Sequence, residues 1–225
     1  MSTLLRRLSA FVLCFTATPA LAATLVEFGD GDGANSRIWI EGTTARMEDA
    51  SRRDGYTLID FKSGRFTVVD PAAKQAVDLD FGKTTANDFS AKLALKDKGA
   101  GPSIAGYSTR RYVLTADGEV CGEYFLSKQA LDDSNMRALL GYLRKNVAGS
   151  DDWDEPCDQA DSYVASQYEK LGAPLRELDM DGELVQETIR IEKNAKLPVG
   201  GLVVPSGYRR VTMEQYLQQQ MQRQK

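Results

Sequence analysis

The chain has 225 residues, 42% of them hydrophobic, 27% charged and 8% aromatic, which rules out a collagen-like, coiled-coil or wholly disordered chain. The formal net charge of -4 provides no basic excess for nucleic acid. There is no histidine, which excludes a Ser-His-Asp or Cys-His nucleophile and any zinc or iron site that needs imidazole.

The first residues read as an address. Arg6 and Arg7 precede a short apolar stretch, Leu8 to Phe15, and Ala20-Leu21-Ala22 follows. A positive segment, a short apolar core and a small-x-small site make the pattern of a cleaved secretory signal peptide, residues 1–22. The apolar run is too short, and too soon broken by Pro19, for a spanning helix. Val12 and Leu13 before Cys14 are too large for lipoprotein processing. The expectation is an exported, periplasmic chain whose residues 23–225 form one domain with no membrane-spanning segment. Loss of Cys14 leaves Cys121 and Cys157, 36 positions apart. In an oxidising compartment, with no Cys-x-x-Cys motif, that pair is expected to form a structural disulfide.

From residue 23 the pattern is short strands between turn residues: Thr24–Phe28, Arg37–Glu41, Thr44–Glu48, Tyr56–Phe61, Arg65–Val69 and Gln75–Phe81. Regular spacing with Gly, Asp or Pro between runs predicts an antiparallel meander. In the last run Val77, Leu79 and Phe81 share a face opposite Asp78 and Asp80. Residues 83–102 read as a long polar connection. Two longer strands, Ile104–Thr115 and Glu119–Leu126, follow, with a hairpin at Asp117-Gly118.

The period then changes. Met136, Leu139, Leu140, Leu143 and Val147 form a helical stripe, with Asp133 or Ser134 as cap. A second helix is predicted over Asp158–Leu171, stopped by Gly172 and Pro174. Strands return at Leu175–Met180 and Glu183–Lys193, and loop signals follow at Pro198–Gly201 and Pro205–Gly207. A last helix begins at Thr212, where Thr212 and Gln215 make a capping box and Val211 faces Tyr216. The predicted class is α+β: a curved antiparallel sheet packed against helices, with a C-terminal helix.

Several of these segments carry a family likeness: Arg46-Met47, Tyr56–Asp60, Val69-Asp70-Pro71, Ile104-Ala105-Gly106-Tyr107 and Val204-Pro205-Ser206-Gly207-Tyr208. Together they resemble a family of exported bacterial proteins with a domain of unknown function, similar in layout to the LolA/LolB-like half-barrels that carry lipoproteins. The resemblance implies a half-barrel with helices against its concave side and implies no catalytic residues.

Motifs that suggest chemistry are weak. Asp30-Gly31-Asp32-Gly33-Ala34-Asn35 begins like a calcium loop, but Ala34 stands where an oxygen ligand is required, and no flanking helices are predicted. Its glycines open no helix, so they offer no nucleotide cradle. Asp151, Asp152, Asp154, Glu155, Asp158 and Asp161 form an acidic cluster around Trp153, read as a solvated loop rather than a cation site. Arg110 and Arg111 point to opposite faces of a strand, a poor anion clamp. Trp39 is read either as the rim of a ligand pocket or as an amphipathic edge residue. No cofactor or metal is expected.

Three functions remain. The first is a periplasmic binding or carrier-like protein, without catalysis, for an apolar acyl or lipid-type ligand held among Val77, Leu79, Phe81, Met136, Leu139, Leu140 and Leu143. The second is a cell-envelope protein-interaction module without a ligand. The third, a carboxylate-dependent hydrolase, requires buried, perturbed carboxylates in a cleft.

Overall fold

The computed structural model describes residues 23–30, 35–49, 55–79, 89–146 and 155–223. The predicted signal peptide, Phe81 and Val147 lie outside them. So do residues 31–34 of the calcium-like loop and residues 151–154 of the acidic cluster.

Among the described residues, alternating apolar residues and frequent turns give one large, open, curved sheet of 12 strands, with four helices. The strands are β1 (Ala23–Asp30), β2 (Asn35–Glu41), β3 (Thr44–Glu48), β4 (Tyr56–Asp60), β5 (Arg65–Asp70), β6 (Gln75–Leu79), β7 (Leu93–Ala100), β8 (Arg110–Ala116), β9 (Glu119–Ser127), β10 (Ala173–Leu178), β11 (Leu184–Ala195) and β12 (Arg209–Thr212). The helices are α1 (Lys128–Asp133), α2 (Met136–Asn146), α3 (Pro156–Leu171) and α4 (Met213–Arg223). The order across the sheet is β12-β6-β5-β4-β3-β2-β1-β11-β10-β9-β8-β7. All neighbours are antiparallel except β6 and β12, which run parallel.

Local chemistry sets the turns. Between β8 and β9, Asp117 and Gly118 both take positive φ (52° and 95°), as a tight two-residue hairpin demands. After β4 the Asp60 carboxylate accepts from the Ser63 hydroxyl at 2.7 Å, which foremost holds its pKa below the ordinary value, and from the Lys62 and Ser63 amides at 2.9 and 3.2 Å. Gly172 ends α3 with φ 134°, and a Cβ there would lie 2.4 Å from the Ser127 carbonyl carbon. The predicted Gly stop is therefore both conformational and steric.

Register places Val26, Ile38, Ile40, Ala45, Ile59 and Phe66 on one face, where α1 and α2 cover them with Leu131, Met136, Leu139, Leu140 and Tyr142. The Tyr142 ring packs 5.8 Å from Phe61 and 6.0 Å from Phe66, and its hydroxyl donates to the Gly64 carbonyl. The same face continues through Asp30, Gln186 and Glu177 to Tyr124, where α3 sits on Tyr112, Leu114 and Leu126 with Ala160 and Val164. A disulfide joins Cys121 of β9 to Cys157 of α3, with Cα atoms 5.3 Å apart.

Three strands depart from the sequence expectation. β7 lies inside the segment read as a connection, and the stretch before Arg110 is not a strand. There Ala105 and Gly106 take positive φ and Ile104 pairs only with Tyr107. β12 forms where only a loop leading into the last helix was expected.

Candidate functional site

The face opposite the helices is crossed by a strap, residues 196–208, that links β11 to β12. Leu197 and Leu202 pack on Leu25 and Trp39, while Val204 and Tyr208 pack on Tyr56 and Leu58. Alternation along β3 turns Arg46 onto this face, away from Ala45 and Met47. Arg46 Nη1 donates to the carbonyls of Val199 (2.9 Å) and Gly201 (3.1 Å), and Nη2 donates to Glu48 Oε1 at 2.7 Å. Its guanidinium carbon lies 3.6 Å from the Tyr56 ring centroid, a cation–π contact. Burial raises the pKa of that tyrosine, an effect Arg46 opposes. Between strap and sheet an open groove of about 920 Å³ remains, lined by Arg37, Arg46, Glu48, Tyr56, Pro205 and Tyr208. Trp39 is 6% exposed beneath the strap, so it belongs to the core and rims no pocket.

The second cavity is on the helix face. Its volume is about 530 Å³, and Val68, Val77 and Leu79 form its floor with Met213 and Tyr216 of α4 across it. A smaller space of about 200 Å³ adjoins it through Val68 and Leu79, lined also by Met47, Thr57 and Phe66. The capping box fixes where α4 starts: Gln215 N donates to Thr212 Oγ1, and Thr212 N to Gln215 Oε1.

The expected pocket residues divide between two places. Val77 and Leu79 line the cavity beneath α4. Met136, Leu139 and Leu140 are buried in the core beneath α2. Leu143 lies within α2. These two groups do not line a shared cavity, because α2 packs directly on β1–β5 while α4 covers β6 and β12. The part of the surface that sequence reasoning missed is α4 as a lid; the Val211–Tyr216 pairing pointed to its start but not to what lies beneath it.

A third constellation is polar. The Tyr124 hydroxyl is 2.7 Å from Asp161 Oδ1 and 3.2 Å from Glu177 Oε1. Burial, then the neighbouring negative charge, raises the pKa of Glu177; burial, opposed by Tyr124 and reinforced by Asp158, raises that of Asp161. Asp161 as a residue is exposed, while its Oδ1 accepts from the Tyr124 hydroxyl on the sheet. None of the cavities just described is lined by either acid. Arg110 and Arg111 each bind an acid, Asp97 and Glu123 respectively. Among the described residues no group of three or more Cys, Asp or Glu is placed to hold a metal ion.

The fold and these surfaces describe a sheet protein with helices on one face, a strap on the other and open apolar space near one edge. No protein-family model and no curated protein matches the chain. Among solved structures it is similar to a chain of the Pseudomonas aeruginosa MucA/MucB complex, at 14% identity and a TM-score of 0.41, covering 80% of this chain and 54% of that one. It is also similar to MucB, at 12% identity and a TM-score of 0.37, covering 82% and 58%. The chain thus spans little more than half the length of the structures it matches. Among the described residues no helix is long and apolar enough to cross a membrane.

Proposed function

We propose that residues 23–225 form an exported cell-envelope module that works by holding another protein, without catalysis. Export rests on the N-terminal sequence pattern and on the disulfide, which suits an oxidising compartment. One observation carries the binding reading. Large apolar side chains stand exposed through the strap and α4: Val199 at 98%, Val203 at 65%, Met213, Leu217 and Met221. Single exposed apolar residues are ordinary, but a run of them through one terminal segment supports an interaction surface. The perturbed acids support no hydrolytic reading, since they face the α3 contact rather than a described cavity.

A specific observation favours a second reading, a small apolar ligand beneath α4. The cavity floored by Val68, Val77 and Leu79 falls within the size range of ligand pockets. Native mass spectrometry of the protein isolated from the cell that makes it, followed by solvent extraction, separates the two. The main reading expects a protein complex of fixed stoichiometry that Leu217→Asp weakens. An extractable apolar small molecule bound without a protein partner would favour the second.

A further inference from the structure

The oxygens of Asp161, Tyr124 and Glu177 present a counting problem. A tyrosine hydroxyl has one proton, yet carboxylate oxygens lie 2.7 and 3.2 Å from it on two sides. With both acids ionised, that proton serves one contact well and leaves two negative oxygens facing each other across the hydroxyl. One added proton resolves the arrangement. Protonated Glu177 donates to the Tyr124 oxygen, and Tyr124 donates to ionised Asp161. The shorter contact is then the charge-assisted one. Glu177, half-buried on β10, is the more withdrawn acid, while Asp161 on α3 keeps contact with water.

The surroundings supply no counter-charge. α3 contributes Asp158, Asp161 and Tyr168; β9 contributes Tyr124, β10 Glu177, and β8 places Tyr112 opposite Tyr124. Among the described residues no cation acts on either carboxylate. Arg176, next to Glu177 in the chain, alternates to the other face and pairs with Glu187. The cluster also bridges separate elements, since Asp161 is on the helix while Tyr124 and Glu177 are on the sheet.

We propose that Asp161, Tyr124 and Glu177 form a proton-dependent latch that fastens α3 to β9 and β10. When Glu177 loses its proton, its charge faces Asp161, which already has Asp158 beside it, and the middle of α3 loosens from the sheet. The Cys121–Cys157 disulfide holds the start of the helix throughout, so the opening is local and tethered. It uncovers Leu114 and Leu126, which α3 otherwise covers.

The sign follows from linkage. The native state keeps a proton that the unfolded chain releases near the ordinary glutamate value of 4.5. The latch contributes most below that value and its contribution is lost as pH rises through the higher native-state titration. The test is amide hydrogen exchange of the oxidised protein at about pH 5 and pH 8, corrected for intrinsic exchange rates. Protection at Val164 and Tyr168 is expected to fall about tenfold or more between the two pH values. Protection at Leu58 and Ile59 should stay constant. In Glu177→Gln, whose amide donates at any pH, the fall at α3 should shrink to about twofold or less. An equal fall in Glu177→Gln, or none in the wild type, overturns the latch. Should Glu177→Gln fail to fold, carbon NMR of the Glu177 carboxyl in Asp161→Asn decides. Its midpoint is expected to drop toward the ordinary range, and an unmoved midpoint overturns the proposal.

Discussion

Arg46 shows how one side chain can organise a surface. It is 6% exposed, bonds two strap carbonyls and one acid, and lies over an aromatic ring. Arg46→Ala would leave those carbonyls and Glu48 without their donor, and is expected to cost about 2–4 kcal/mol in denaturant unfolding. The strap should then become the first site of proteolysis, at Lys196. Arg46→Lys should recover less than half of the loss, because an ammonium cannot reproduce the guanidinium fork. The sequence marks Arg46 only within a short likeness. Its partner carbonyls lie 153 and 155 positions further on, and local spacing cannot reveal a bond of that separation. Trp39 is a similar case. Alternation showed which strand face it shares with Arg37 and Glu41, but not that Leu197 and Leu202 cover it.

Among the elements, the meander and the last helix were the most legible, because their determinants are local. Turn residues delimit β1 to β6, and the Thr212/Gln215 box marks the start of α4. Thr212→Ala should lower stability by about 1 kcal/mol and reduce helical ellipticity, if the cap bonds hold α4 in place. β7 was not legible. Its run Lys96-Asp97-Lys98-Gly99 has the polar composition of an edge strand, and only Leu93 and Leu95 pack inward. β12 is four residues long and pairs in parallel with β6, a distant contact with no turn signal to announce it. The disulfide was legible from cysteine number and export pattern. Replacing both cysteines by serine should cost about 3–4 kcal/mol for a closed loop of 36 residues, measured by unfolding of the oxidised parent against the variant. The loss should be read most strongly in the exchange of α3 amides.

At the scale of the whole molecule, one sheet is used on both faces. The helices bury its apolar face over most of its width, and the strap closes part of the other. Exposed apolar side chains remain on the strap, at Val199 and Val203, and on α4, at Leu217 and Met221, and others stand on β9, in the β10–β11 turn and on β11, at Val120, Met180, Val185 and Ile189. Hydrophobic pattern, with turn and cap residues, predicted most of the sheet and the helices α2, α3 and α4, but not α1, β7 or β12. It did not separate a filled core from an open cavity, because Val77 and Met136 look equally apolar in sequence, yet Met136 of α2 packs into the core while Val77 of β6 borders the cavity beneath α4. The central claim, that the strap and α4 meet a protein partner, is tested most directly by photo-crosslinking in the cell that makes the protein. Benzophenone side chains placed singly at Val203 and Leu217 should each yield an adduct with the same protein of defined mass. A probe at exposed Lys98, on the far edge of the sheet, should yield none. Adducts at Lys98 equal to those at Val203 and Leu217, or no protein adduct at either apolar position, would contradict the account.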